Sequence, residues 1–338
     1  MQDDLHLPTF ADIRQAAQRI DGQAVKTPLL ESSFLNDRIG VRVLLKAEVL
    51  QRTGSFKFRG AYNRLSQIDP AAFPGGVVAC SSGNHAQGVA EAARLCNLSA
   101  VIVMPSDAPT IKVARTKRSG AEVVFYDRQT EDRDAIARKI SEERQAEYVA
   151  PFDDPGVIAG QGTVGLEIAQ QARAAGAELS AVLTPCSGGG LAAGIALAME
   201  GEMRGARVHT VEPQDFDDYA RSLASGQREK NEPGPSSICD ALLVATPGKL
   251  TFAVNADRLG DGLSVSDAEA SAAVAFAYHE LKLVVEPGGA VALAAILSGR
   301  YKPAGKAVAV VLSGGNMDPD MLAQILAREA AITPALAG

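Results

Sequence analysis

No apolar run in this 338-residue chain reaches the roughly 18 residues that a membrane-spanning helix needs. Residues 1–10 carry Asp3, Asp4 and His6 where a secretory leader would have an apolar segment, so no signal peptide is expected. Basic residues form no stripe that could follow a phosphate backbone. The 33 Lys and Arg are interspersed with 40 Asp and Glu, for a formal charge of −7, and no nucleic-acid partner is expected. The four cysteines, Cys80, Cys96, Cys186 and Cys239, lack CxxC spacing and sit among apolar residues. That argues against a zinc site or a disulfide framework and for reduced, mostly buried thiols in a cytoplasmic protein. Internal repeats and low-complexity tracts are also missing. What is present is an ordinary globular composition, 46% hydrophobic and 22% charged, in a chain long enough for two domains.

Strand-like and helix-like segments alternate. Residues 77–80, 100–104 and 123–126 read as strands, separated and followed by helical segments at 85–95, 110–119 and 132–144. The rhythm resumes with a strand at 181–184, a helix at 191–200 and a strand at 208–212. A helix at 266–281 has Ser266 as N-cap and Glu269 at the capping-box position, and 307–312 reads as a buried strand. This pattern predicts an α/β protein with two parallel-sheet domains, each with helices on both faces. Turn-rich boundaries at 70–76 and 151–156 divide it into a small domain, 77–151, inserted in a large one, 1–76 plus 152–330. Residues 228–237, with two prolines and a glycine, read as an exposed loop.

Four short segments carry candidate chemistry. In Ser55-Phe56-Lys57-Phe58-Arg59-Gly60-Ala61 a lysine lies between two phenylalanines. Desolvation there would lower its pKa and free a neutral amine for Schiff-base formation; alone, the residue also fits an ordinary surface lysine. Ser81-Ser82-Gly83-Asn84-His85 joins a strand to a helix, and its amides and hydroxyls could grip a carboxylate. A simple Ser or Asn helix cap reads it as well. Ser187-Gly188-Gly189-Gly190, again between strand and helix, suits a phosphate. A rival reading takes Gly188, Gly190 and Gly194 as a loose dinucleotide fingerprint with Glu212 as the ribose acid, one residue out of the usual spacing. Ser313-Gly314-Gly315-Asn316 follows the last strand and alone could be a tight turn.

In this order the four segments resemble fold type II pyridoxal-phosphate enzymes of the tryptophan synthase β-like architecture, and within them the serine/threonine dehydratase and serine racemase group. The resemblance runs from about Thr27 to Asn316 and includes Thr27-Pro28-Leu29, Val157-Ile158-Ala159-Gly160-Gln161-Gly162-Thr163 and Glu286-Pro287-Gly288-Gly289-Ala290. It implies pyridoxal 5'-phosphate held by Lys57, with Ser187, Gly188, Gly189 and Gly190 around the phosphate. Asn84 would meet the ring hydroxyl, Phe56 a ring face and Ser313 the pyridine nitrogen. Ser81, Ser82 and His85 would hold the substrate carboxylate or lie beside it, and Lys57 and Ser82 would be catalytic. A serine opposite the ring nitrogen cannot protonate it firmly, which favours expulsion of a β-hydroxyl over transamination. Two departures stand out: Ser187 replaces a usual fourth glycine, and Ala241 a frequent glycine near the cofactor.

The segment 212–218 resembles the group's divalent-cation loop. Glu212 and Asp218 would supply carboxylates and Phe216 a carbonyl to Mg2+, Ca2+ or Mn2+; a solvated acidic loop is the plainer alternative. Arg133 matches an arginine that in some relatives meets a carboxylate at the pocket edge, which would suit a second substrate carboxylate. The leading expectation is a serine/threonine ammonia-lyase acting on a small β-hydroxy amino acid. The alternatives are 3-hydroxyaspartate ammonia-lyase or serine racemase and, of another class, a nucleotide-binding protein without covalent chemistry. A homodimer is expected by resemblance, and no regulatory domain after Asn316.

Overall fold

The structure, a computed structural model, describes residues 6–336 apart from 82, 109 and 128. Ten strands form among the described residues: β1 (Leu29–Glu31), β2 (Val43–Ala47), β3 (Val77–Cys80), β4 (Ala100–Pro105), β5 (Glu122–Tyr126), β6 (Glu147–Tyr148), β7 (Leu179–Pro185), β8 (Arg207–Pro213), β9 (Leu259–Val265) and β10 (Ala307–Leu312). They make two sheets, one of six strands in the order β1-β2-β10-β7-β8-β9 and one of four in the order β5-β4-β3-β6. Neighbours pair in parallel throughout, except β1, which runs antiparallel to β2. The smaller sheet lies wholly between Val77 and Tyr148. The central strands β2, β3, β4 and β10 are buried along their whole length, which is why their sequences read as unbroken apolar runs. Helices cover both faces and seal separate clusters on either side of the large sheet.

Helix starts follow local chemistry. Asp154 caps the helix Pro155–Ala174, accepting from the Val157 amide, with proline in its first turn. Ser266 and Glu269 form the expected capping box on Asp267–Phe276. The expected 266–281 helix does not stay regular: Ala277–Leu281 winds as a π-turn and stops at Lys282 in the left-handed region. Close helix contacts explain a motif whose role was open. Gly60 and Gly160 let two helices touch, because a Cβ on Gly60 would lie 2.8 Å from the Val157 carbonyl and one on Gly160 2.6 Å from the Arg59 carbonyl. The glycines of 157–163 thus serve packing.

Parallel strands point their carboxyl ends one way, and the turns that follow them build a crevice. Here β2 leads to Lys57, β3 to Ser81 and Asn84, β7 to the glycine loop and β10 to Ser313. All four sequence motifs therefore emerge on the facing edges of the two sheets. No helix among the described residues is long and apolar enough to cross a membrane.

Candidate active site

A cavity of about 470 Å³ lies between these edges. It is lined by Phe56, Lys57, Ser81, Asn84, His85, Arg133, Ser187, Gly188, Gly189, Gly190 and Ser313 among others. Ser82 lies outside the described residues.

Lys57 opens the helix Lys57–Leu65. The preceding backbone is zipped to the loop after β10: Ser55 bridges Gly314, the Phe56 amide donates to the Ser313 carbonyl at 3.1 Å, and the Gly315 amide donates to the Gly54 carbonyl at 2.9 Å. The first and fourth motifs are thus one unit. The Lys57 amine donates to the Pro151 carbonyl at 2.7 Å and stands 5.3 Å from the centre of the Phe56 ring. Burial lowers its pKa to about 8. The cause differs from the expected pair of phenylalanines. On a helix, adjacent residues diverge by about 100°, and Phe58 turns into the core against Tyr62.

On the small-sheet side, neither serine nor asparagine caps the helix Asn84–Leu95; Gly83 holds that position without a side-chain bond. Asn84 is freed for the cavity. Its Nδ2 donates to Glu286 Oε1 at 2.5 Å and its Oδ1 accepts from Asn316 Nδ2 at 2.7 Å. The Asn316 orientation is fixed in turn, since its Nδ2 also donates to the Thr53 carbonyl and its Oδ1 accepts from Arg115. Asn84 therefore keeps one N–H as a donor to a ligand oxygen. Glu286, given no role on sequence grounds, is buried, lines the cavity, and is pushed up to about 7 by burial. Its sequence signal was its place at the head of the stretch 286–290, before the helix Pro287–Leu297.

His85 is buried, and burial followed by the Lys57 charge lowers its pKa to about 3, so the ring is neutral. Its Nε2 faces the Val149 carbonyl at 3.1 Å and must donate there, leaving Nδ1 an acceptor without a partner among the described residues. A ring in this state has no N–H left for a carboxylate.

The glycine loop is held from behind. The carbonyl of Gly188 accepts from Thr251 Oγ1 at 2.6 Å and that of Gly189 from Asn255 Nδ2 at 3.2 Å. Gly189, at φ 93°, starts the helix Gly190–Glu202, and a Cβ there would lie 2.5 Å from the Tyr219 hydroxyl. Among the described residues the amides of Gly189, Gly190, Leu191 and Ala192 find no acceptor. Unpaired amides at a helix start, beside a partly buried low-pKa lysine, fit a phosphorylated aldehyde cofactor. The Ser187 hydroxyl accepts from the Val244 amide at 3.3 Å, which leaves its O–H free to donate into the cavity that it lines.

The acidic loop is built at the end of β8. Glu212 is fully buried and accepts the amides of Tyr219 at 3.0 Å and Ala220 at 2.8 Å. It therefore cannot reach a ribose, which removes the dinucleotide reading. Asp218 accepts from Asn231 through Oδ1 at 2.6 Å, while its Oδ2 is buried without a partner among the described residues. No group of three His, Cys, Asp or Glu side chains gathers among those residues. The orphaned carboxylate oxygen nevertheless fits a hard cation completed by a backbone carbonyl such as that of Phe216.

Arg133 begins the helix Arg133–Arg144. Its side chain is half exposed at the cavity edge, with Asp134 3.8 Å from its Nε.

Comparison with known proteins agrees with this geometry. Residues 20–314 match the family described as pyridoxal-phosphate dependent enzyme. The L-threo-3-hydroxyaspartate ammonia-lyase of a Pseudomonas species is 41% identical over 95% of this chain and 99% of its own length. The L-threonine ammonia-lyase of Thermotoga maritima is 38% identical over 94% of this chain and 78% of its own. The solved serine racemase of maize superposes with a TM-score of 0.89, at 34% identity, over 97% of this chain and 99% of that one. The chain belongs to the fold type II pyridoxal-phosphate-dependent enzymes, in their ammonia-lyase and racemase branch.

Proposed function

We propose that this enzyme is an ammonia-lyase for β-hydroxy amino acids, with L-threo-3-hydroxyaspartate as its preferred substrate. The observation that carries the dicarboxylic preference is Arg133 at the cavity edge, a guanidinium able to receive a second carboxylate. Relatives that bear the hydroxyaspartate activity, in Pseudomonas and in Saccharomyces cerevisiae, are 41% and 40% identical to the chain.

Bound pyridoxal phosphate would withdraw electrons from the substrate Cα and acidify its proton. Gly188, Gly189 and Gly190, with the amides that follow, would hold the phosphate. The N–H left on Asn84 would meet the ring oxygen, Phe56 would cover a ring face, and Ser313 would face the ring nitrogen without protonating it firmly. The amides of Asn84 and His85, which open their helix without acceptors among the described residues, would take the α-carboxylate, with Ser81 and the neutral His85 ring beside it. Lys57, whose pKa of about 8 keeps a useful fraction of neutral amine near physiological pH, would take the Cα proton. The β-hydroxyl leaves as water, water is then consumed as nitrogen departs as ammonia, and a 2-keto acid remains. In this reading residues 1–76 plus 152–330 form the cofactor domain and 77–151 the substrate-side domain.

Serine and threonine dehydration is the second reading. The ion pair of Lys112 with Asp240 favours it, because it already neutralises one cation at the cavity mouth. Steady-state kinetics on L-threo-3-hydroxyaspartate, L-serine and L-threonine decide between them. The proposal expects the highest kcat/KM for the dicarboxylic substrate, and a higher value for serine or threonine overturns it.

A further inference from the structure

Among the described residues, the Lys, Arg, Asp and Glu side chains that line the cavity are Lys57, Lys112, Arg133, Asp240 and Glu286. Lys112 and Asp240 have no part in the chemistry above. They approach from opposite sides of the mouth, Lys112 from the helix Thr110–Arg118 beside the small sheet and Asp240 from the turn Asp240–Leu242 beside the large one. The Lys112 amine meets Asp240 Oδ2 at 2.6 Å.

The two partners are unequal. The Lys112 side chain is only 14% exposed and that of Asp240 56%. A largely dehydrated ammonium depends on a nearby anion, whereas an exposed carboxylate returns to water at little cost. Exchange of the anion beside Lys112 is therefore easy from the Asp240 side. A monocarboxylic substrate brings nothing to exchange. A dicarboxylic one brings a second carboxylate into a mouth that already holds Arg133.

We infer that Asp240 is an internal stand-in for the second carboxylate of the substrate: it occupies Lys112 until a dicarboxylate displaces it, so that Lys112 and Asp240 together set the preference between dicarboxylic and monocarboxylic substrates. The inference rests on the ammonia-lyase reading and assigns a further part of the same site.

The test is calorimetric binding of succinate and propionate to the holoenzyme, in wild type, Asp240→Asn, Lys112→Gln and the double variant. Asp240→Asn should tighten succinate by roughly three- to tenfold, with propionate held within about twofold. Lys112→Gln should weaken succinate, and Asp240→Asn should bring no gain on that background. The kcat/KM ratio of 3-hydroxyaspartate to serine should rise in Asp240→Asn. Unchanged succinate affinity in Asp240→Asn overturns the inference. So does an equal shift for propionate, and so does a gain that persists without Lys112, which would mean a general field effect. Failure of wild type to turn over 3-hydroxyaspartate would instead sink the substrate reading, and the succinate comparison would still judge the pair.

Discussion

Lys57 shows how far a residue can be read from its neighbours. Its motif announced a desolvated lysine, and the side chain is indeed partly buried, but by the cavity wall, Phe56 and the Pro151 carbonyl rather than by both phenylalanines. A lysine lowered to about 8 is neutral above that pH. The rate at which apoenzyme recombines with pyridoxal phosphate should therefore rise with pH to a midpoint near 8, as followed by visible absorbance, and not near the 10.5 of an ordinary lysine. Lys57→Ala should abolish both the visible band and turnover while leaving the fold intact. Keto acid released by that variant at the native rate would remove Lys57 from the chemistry. Arg133 belongs to the same scale. A guanidinium paired with a carboxylate makes two charge-assisted bonds, and its loss leaves that carboxylate unpaired. Arg133→Ala should thus cost the dicarboxylic substrate on the order of 2–4 kcal/mol, roughly 30- to 1000-fold in kcat/KM, and serine little. Equal losses for both substrates would assign Arg133 a structural part. Glu286, though it opens the stretch 286–290, and Asp240 went without a role in the sequence because nothing local says what an acidic side chain will meet. Only the fold shows that one meets Asn84 and the other Lys112.

At the scale of elements the sequence was informative wherever one segment decides its own shape. Strands β3 and β10 match their expected bounds, and the Ser266 capping box starts its helix as the side chains dictate. What could not be read was contact between distant segments. A buried network ties four elements behind Lys57: Arg59 grips Glu48 at 2.8 Å and Glu167 at 2.7 Å, and Lys46 meets Glu167 at 2.6 Å. It joins β2 and the turn after it to the helices Lys57–Leu65 and Pro155–Ala174, so it fixes the start of the lysine-bearing helix against the large sheet. Removing one member strands opposite charges in the interior. Arg59→Met should therefore destabilise by about 3–5 kcal/mol at neutral pH, read from urea midpoints. The sign with pH follows from Glu48. Burial pushes that carboxyl up, but Arg59 and Lys46 more than offset this and hold it below its ordinary value. Its stabilising share is thus present above the ordinary carboxylate range and is lost as pH falls through the lowered value. The penalty of Arg59→Met should shrink toward acid, and a penalty independent of pH would mean lost packing rather than lost charge.

Across the whole molecule, the acidic loop and the cofactor loop are mechanically joined, which would give a cation bound at the acidic loop a consequence away from its own ligands. Glu212 lies near the end of β8, the neighbour of the strand β7 that leads to the glycine loop, and its carboxylate holds the Tyr219 and Ala220 amides in the first turn of the helix Asp218–Ser225. That helix carries Tyr219, whose ring packs where a Cβ on Gly189 would stand. The Tyr219 hydroxyl accepts from Asn255, which also donates to the Gly189 carbonyl. A cation held by Glu212, Asp218 and the Phe216 carbonyl would neutralise two carboxylates that burial otherwise pushes up, and would fix Tyr219 behind the phosphate loop. Because it would bind the folded state alone, it would add stability by mass action, about 2.7 kcal/mol at a hundred times its dissociation constant. Chelator should therefore lower the melting temperature by several degrees and weaken cofactor retention together, and Mg2+, Ca2+ or Mn2+ should restore both. Glu212→Ala should be destabilised already and insensitive to either addition. Melting and cofactor release that ignore chelator in the wild type would make residues 212–218 a hydrogen-bonded turn, with the partnerless Asp218 oxygen satisfied by a proton rather than a metal.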